Sequence, residues 1–390
     1  MTAEHIYLDY NATAPIRPEA EAAVVAALRV GGNPSSVHAA GRAARAVVEQ
    51  ARLDVAALAG CGSGAIVFTS GGAEANALAI HSAVKAGARR LIVSATEHET
   101  VLAGAQASGA AVELWPVDGR GVADLTWLKT RLGAWNPAEG APFVALMLAN
   151  NETGVIQPVA EAAALVREAA GWLHVDAVQA AGKMAINFKA LGADTLSLSA
   201  HKIGGPQGVG ALAYGVRAKL SPSLHGGGQE RGLRAGTENL AGIAGFGAAA
   251  RIAKSELSHQ DAGFSAWRDA VAERLVDEAG VTVLGQGAPR LGAVLCLAAP
   301  GFASEMQVMQ MDLAGVLVSA GAACTSGKVK PSRIVEAMGH EELAPYVLRV
   351  SGGWATRAED WDRFADAWLA AYARHVERHG ARPQPQYAGA

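Results

Sequence analysis

The sequence predicts an α/β protein built on a mostly parallel sheet, followed by a smaller α+β unit. Three observations lead there. From about residue 64 to 215, short apolar runs alternate with Ala-rich amphipathic stretches, the pattern of strand–helix–strand units covered on both faces. The apolar runs end abruptly in Gly, Ser, His, Asn or Asp, as strands do when they reach the open edge of a sheet. After about residue 255 the alternation gives way to a charged helical stretch and two isolated strand-like runs.

The strand candidates are Ala65–Thr69, Arg90–Ser94, Val112–Pro116, Phe143–Leu148, Trp172–Val175, Thr195–Ser199 and Val209–Tyr214. Each is a four- to six-residue run rich in Val, Ile, Leu or aromatic side chains, too short for a helix. Between them, Ala73–Ala86, Glu97–Ser108 and Val159–Ala170 carry helical spacing of apolar residues. Beyond residue 255, Asp261–Glu278 reads as a charged helix, Val281–Leu284 and Ala293–Leu297 as strands, and Ser304–Ala314 and Ala358–His379 as helices.

Composition narrows the function. The chain of 390 residues is 51% hydrophobic and 18% charged, enough for a sizeable core. A net charge of −3 offers no attraction to nucleic acid or an anionic membrane surface. No apolar run reaches the length of a spanning helix, the Ala/Gly-rich stretch 241–253 being interrupted by Arg251. The start, MTAEHIYLDY, is too polar and acidic for a signal peptide. Three well-separated cysteines, Cys61, Cys296 and Cys324, lack metal-ligand spacing. A reducing, cytoplasmic setting is therefore expected.

Ligands of open α/β sheets bind beyond the carboxyl ends of the strands, so residues at those ends carry the chemistry. FTSGGAEAN (68–76) turns from strand to helix with small residues, leaving N–H groups free for a phosphate; an ordinary turn capped by Ser70 is the plainer alternative. His98 in TEHETV lies just past a strand end, either as a helix-entry residue or as a flat ring for stacking and proton transfer. Asn150, Asn151 and Glu152 follow another strand. Asp176 ends the run WLHVD, with Gln179 three residues on, and a carboxylate there is costly unless paired with a cation such as a protonated ring nitrogen. Ser199, His201 and Lys202 close the run LSLSAHK before a Gly-Gly-Pro turn. An amine for an imine, an anion for a pyridinium and donors for a phosphate together suit pyridoxal 5′-phosphate (PLP).

The motifs IYLDYNATAP, GNPSSVH, FTSGGAEAN, TEHETV, ANNETG, HVDAVQ, SAHKIGGPQG, HGGGQERGLRAGTEN and SAGAACTSGKVKPS stand in this order over roughly residues 6–355. The chain thereby resembles cysteine desulfurases of the NifS/IscS type, PLP enzymes of the class-V aminotransferase family. The resemblance implies the PLP-dependent transferase fold (fold type I) with a mostly parallel seven-stranded sheet. It further implies a large PLP-binding domain at 16–255, a small domain made of 1–15 and 256–380 that carries the catalytic cysteine, and a disordered tail at 381–390.

The same resemblance implies roles. Lys202 would carry the cofactor's imine, Asp176 would face the pyridinium nitrogen and Gln179 the phenolic oxygen. His98 would stack on the ring and move protons, and Asn151 would sit near cofactor and substrate. Gly72, Ala73, Ser199 and His201 would surround the phosphate. Thr237 would reach the phosphate of a neighbouring subunit, making a homodimer with shared sites. Arg349 would clamp the substrate carboxylate and Asn33 would line the substrate end. Cys324, in a run of Ser, Gly and Ala, would be the nucleophile that takes sulfur from L-cysteine, with Lys328 and Lys330 nearby in sequence to favour its thiolate. Cys61 and Cys296, in LAGCGSG and VLCLA, read as inert.

Two departures stand out: Ala73 where many relatives have Thr, and Trp354 where many have a basic residue. The full stretch between Ala320 and Ser332 resembles the branch with a long loop that reaches scaffold proteins directly, which points to iron–sulfur cluster assembly, with tRNA thiolation as a further use. A selenocysteine lyase or another class-V aminotransferase is the alternative. A mobile thiol argues against transamination, whereas selenium would fit the same pocket.

Overall fold

The computed structural model describes residues 5–321 and 330–380. Cys324, Lys328 and the segment 381–390 lie outside the described residues.

A short strand, β1 (Ile6–Tyr7), precedes two helices, α1 (Pro18–Leu28) and α2 (Ala39–Ala59). Then come β2 (Ile66–Thr69), α3 (Gly72–Lys85), β3 (Arg90–Ser94), α4 (Glu99–Ala107), β4 (Ala111–Trp115), α5 (Leu125–Gly133), β5 (Phe143–Ala145), α6 (Val159–Glu168), β6 (Trp172–Asp176), the single turn α7 (Phe188–Leu191), β7 (Thr195–Ser199) and β8 (Gly210–Tyr214). One helix of 40 residues, α8 (Leu240–Ala279), leads to β9 (Thr282–Val283), β10 (Val294–Ala298), α9 (Ser304–Leu313), β11 (Val316–Leu317) and β12 (Ser319–Ala320). After residue 330 follow α10 (Arg333–Ala337), β13 (Val347–Ser351) and α11 (Ala358–His379).

The strands from β2 to β8 form a seven-stranded sheet in the order β2-β8-β7-β6-β5-β3-β4. β8 runs antiparallel to both its neighbours and every other pairing is parallel. The expected strands thus all appear, within a residue or so at most ends. Phe143–Leu148 shortens to β5 because Leu146–Leu148 continue buried but outside the regular ladder. The central strands are buried along their whole length, which is why they read as unbroken apolar runs. β4, at the edge, is partly exposed over Ala111–Leu114 and carries Glu113.

Helix α8 is longer than the charged stretch Asp261–Glu278. Its Gly/Ala-rich first half packs on α1 and α2 and so lacks an amphipathic signature. Phe246 is fully buried there, and a Cβ at Gly247 would come within 2.6 Å of Ala51 Cα, so the two helices can approach this closely only with glycine at that position. Asn239 caps the start of α8 by accepting from Gly242 N, and Gly280 ends it in the left-handed region at φ 62°.

A second sheet, β12-β13-β10-β9, is antiparallel, and β1 pairs in parallel with β11. Trp361, Phe364 and Trp368 of α11 pack on this sheet, fully buried with Phe302. After β1, Asp9 bridges to Ser351 of β13, and residues 11–14 then cross to the carboxyl edge of the large sheet. No helix among the described residues is long and apolar enough to cross a membrane.

Candidate active site

The parallel strands β2, β3, β5, β6 and β7 all end on one edge. The residues just beyond those ends line a cleft of about 580 Å³ that includes Gly72, Ala73, Asn76, His98, Asn151, Asp176, Gln179, Ser199, His201 and Lys202. Short buried strands fix these positions, since a slip of one residue would turn the whole strand's side chains over.

Asp176, the last residue of β6, is only 5% exposed. Its Oδ2 accepts from Asn76 Nδ2 at 2.8 Å and its Oδ1 from the Val178 N–H at 2.9 Å. Asn76 also donates to Thr100 Oγ1 and faces the buried His174, 2.9 Å from its Nε2. Burial lowers the His174 pKa to about 4. Asn76 belongs to the motif FTSGGAEAN, but only the packing of α3 against β6 reveals that it orients the carboxylate.

His98 is the N-cap of α4: its Nδ1 accepts from the Thr100 N–H and lies 2.9 Å from Thr100 Oγ1. The ring opens to the cleft, and the surrounding protein lowers its pKa through desolvation. Beside it, Glu97 is fully buried, and neither carboxyl oxygen has a well-formed hydrogen bond among the described residues. Burial and nearby Asp176 hold that carboxyl well above its usual pKa.

Lys202 closes the one-turn segment after β7 and donates to two backbone carbonyls, Asn11 O at 2.6 Å and Ala12 O at 2.7 Å. Burial, aided by the Arg349 cation, lowers its pKa to about 8. Asn11 is a hub that pattern reading did not single out. Its carbonyl also accepts from Gln179 Nε2 (2.9 Å), its Oδ1 accepts from Lys183 Nζ (2.5 Å), and its Nδ2 donates to Asn151 O (3.0 Å). Lys183 donates in addition to Gln179 Oε1 at 2.8 Å, and burial holds its pKa well below the usual lysine value.

The start of α3 is free of side-chain capping: its N-cap is Gly71 and not Ser70. Ser70 N instead donates to Glu74 Oε2, and Arg234 pairs with Glu74 at 2.9 Å. The first N–H groups of α3 are therefore available to an anion, backed by the helix dipole. A Cβ at Gly72 would lie 2.8 Å from Val178 Cγ2, so the turn needs a bare backbone there. Ser199 and His201 flank the same end of the cleft. Burial lowers the His201 pKa to about 4, so its neutral ring presents one N–H.

Arg349 lies in β13, with Nη2 on Asp9 Oδ1 (2.8 Å) and Nη1 on Asn151 O (3.2 Å). Its Nε, and Asn151 Oδ1, are buried without a hydrogen-bond partner among the described residues. Such atoms are costly to bury alone. Asn151 lines the cleft, whereas Arg349 does not and has both terminal nitrogens engaged by protein oxygens. The donor set fits PLP and an amino acid carboxylate: an amine, a carboxylate, a flat ring, and anion-binding N–H groups in one cleft. Among the described residues no cluster of side chains suits a metal ion.

Of the other expected residues, Asn33 is exposed and accepts from Ser35 N, outside the lining of this cleft. Thr237 is likewise exposed, just before Asn239. Burial raises the Cys61 thiol to about 11 and pushes that of the fully buried Cys296 up further still, so neither is a thiolate at neutral pH. Trp354 donates its Nε1–H to Pro15 O and lies under the Arg17 guanidinium, at 5.1 Å, in a pocket that Lys202 and Lys183 also line.

Residues 6–364 match the aminotransferase class-V family model. The chain is 40% identical over 367 residues to the cysteine desulfurase of Cereibacter sphaeroides, covering 91% of this chain and 93% of the relative. It is 37% identical to the cysteine desulfurase IscS of Dictyoglomus turgidum, over 91% of each chain. Its structure is similar to that of a NifS-like protein from Rickettsia africae, with a TM-score of 0.87, 30% identity, and coverage of 95% of this chain and 99% of that one. With its fold, cleft and length all matched, the chain belongs to the aminotransferase class-V family and, within it, to the cysteine desulfurases.

Proposed function

We propose that the protein binds PLP in this cleft and moves the sulfur of L-cysteine onto Cys324, releasing L-alanine, for delivery to an acceptor protein that assembles iron–sulfur clusters. The observation that carries the reading is the convergence of Lys202, Asp176 and His98 on one cleft, 40% identity to a named desulfurase standing behind it. When bound, PLP supplies an electron sink for bonds at the substrate Cα.

The chain's own groups do the rest. Lys202, lowered to about pKa 8, is partly neutral near pH 7.5 and can accept a proton at its Nζ. Asp176, oriented by Asn76 and Val178 N, presents a fixed carboxylate to a protonated ring nitrogen. Gln179, held by Asn11 and Lys183, would face the cofactor's phenolic oxygen. Gly72, Ala73, Ser199 and His201 would hold the phosphate, with a backbone N–H in place of the hydroxyl that Ala73 lacks. His98, whose pKa desolvation by the surrounding protein lowers, would stack on the ring and carry protons during sulfur departure. Arg349, whose guanidinium rests on Asp9 and the Asn151 carbonyl outside the cleft lining, would exchange those partners for the substrate carboxylate it is to clamp.

The Cys324 thiolate attacks the substrate sulfur. The substrate Cβ–S bond breaks, its electron pair stays with carbon and takes up a proton, and a Cys324–S–SH persulfide remains. The balance is L-cysteine plus one thiol giving L-alanine plus one persulfide. Thr237, exposed and absent from the lining of its own cleft, suits a homodimer in which it reaches the neighbour's phosphate. Unpaired thiols suit the cytoplasm.

Incubation with L-cysteine and dithiothreitol tests the reading. Alanine and sulfide are expected in equal amounts, and Cys324→Ser should retain the cofactor's visible absorbance while losing turnover. No alanine from the PLP-loaded protein would overturn it.

A further inference from the structure

Both flanks of the segment that bears Cys324 meet at a single carboxyl group. Glu152 lies in the turn after β5, where its N–H donates to Asn150 Oδ1 at 2.9 Å, and it is only 5% exposed. From one side, Ser332 donates its hydroxyl to Glu152 Oε2 at 2.5 Å. The same oxygen of Ser332 accepts from Val335 N at 3.2 Å as the N-cap of α10, which leaves its proton for Glu152. From the other side, Gly321 closes on the same Glu152 atom: a Cβ there would lie 2.5 Å from Oε2 and 3.1 Å from Val347 Cγ1. The turn that supplies Glu152 also supplies Asn151, whose carbonyl accepts from Arg349 Nη1 and Asn11 Nδ2. Gly321 follows β12, whose Ser319 is paired in register with Arg349.

We propose that Glu152 is a positioning residue for sulfur transfer, holding Ser332 by a hydrogen bond and packing against Gly321 so that both stay beside the turn that holds Asn151 and, through it, Arg349. The inference rests on Cys324 being the sulfur acceptor. Holding both flanks beside the groups around the substrate lowers the entropy cost of bringing a residue between them to the substrate, and intramolecular attack gains rate accordingly. Burial raises the Glu152 pKa, opposed by the Ser332 hydrogen bond and by the Arg349 and Arg333 cations.

The test uses the full-length PLP-loaded enzyme in a single turnover with L-cysteine. Persulfide on Cys324 is trapped by alkylation and followed by mass spectrometry, while the cofactor's absorbance change on adding L-cysteine is followed separately. Ser332→Ala should slow persulfide formation about tenfold, the loss of one hydrogen bond to a buried carboxyl. The absorbance change and KM should stay as they are, and Ser332→Thr should restore the rate. Gly321→Ala, which presses a methyl against Oε2 and removes nothing, should give the same selective loss. Persulfide forming at the unaltered rate in both Ser332→Ala and Gly321→Ala would overturn the inference, as would an equal loss of the absorbance response. No persulfide in the unaltered enzyme would instead overturn the assignment of Cys324 itself.

Discussion

Replacing Glu230 by Gln should cost the protein about 3–5 kcal/mol of stability, the usual result of breaking one side of a buried ion pair. The pair joins the middle of α2 to the loop before α8. Arg52 Nη1 meets Glu230 Oε2 at 2.7 Å and Nη2 meets Oε1 at 2.8 Å, with the two side chains 5% and 2% exposed. Oε2 also accepts from Phe68 N, in β2, which runs into the Gly71–Gly72 turn. Glutamine can keep one of these bonds but not the charge. Arg52 would then rely on the half-exposed Glu49 at 3.2 Å, the Ile66 carbonyl, and the Phe68 ring 4.8 Å away.

Backbone conformation adds to the cost. Glu230 and Arg231 both stand in the left-handed region, at φ 46° and 60°, and such non-glycine residues each carry roughly 1–3 kcal/mol of strain. The ion pair is what offsets it. The assay is urea unfolding followed by circular dichroism, comparing Glu230→Gln with Arg52→Met and with the double replacement Arg52→Met/Glu230→Met. The double variant should be more stable than either single one, since two apolar side chains leave no unpaired charge. A single-variant loss below about 1 kcal/mol, the range of an exposed pair, would refute the reasoning.

Two further outcomes follow from the cleft. The Lys202 amine, moved from 10.5 to about 8 chiefly by burial, is protonated below that pH and free above it. The apo-protein should therefore capture added PLP faster as pH rises through about 8, read from the growth of visible absorbance. Arg349→Met should move the midpoint upward, because a neighbouring cation is gone. A midpoint near 10.5 in the unaltered protein contradicts the assignment. Asn76→Ala removes the 2.8 Å bond to Asp176 and strands the buried His174 Nε2. PLP affinity, titrated by absorbance, should fall at least about tenfold for a hydrogen bond to a charged group worth about 1.5–3 kcal/mol; unchanged affinity would show that Asp176 orients itself.

What the sequence by itself determined is the set of elements and the residues at their ends. Strands buried on both faces must be apolar throughout, so β2 to β8 could be read one by one. The polar residue that breaks each run (His98, Asn151, Asp176, Lys202) marks the edge where ligands bind. Motif resemblance added the chemistry.

Tertiary structure alone decided how those ends meet. Side-chain pattern carries no direction, so nothing in Val209–Tyr214 told that β8 runs antiparallel between β2 and β7. Local spacing likewise could not show that Asn11, near the start of the chain, would accept from Lys202, or that Arg349 would pair with Asp9, separated from it by 340 positions. Both contacts arise because β1 joins the small sheet before the chain crosses to the large one. Hydrogen bonds between elements depend on how sheets pack, and packing is a property of the whole core.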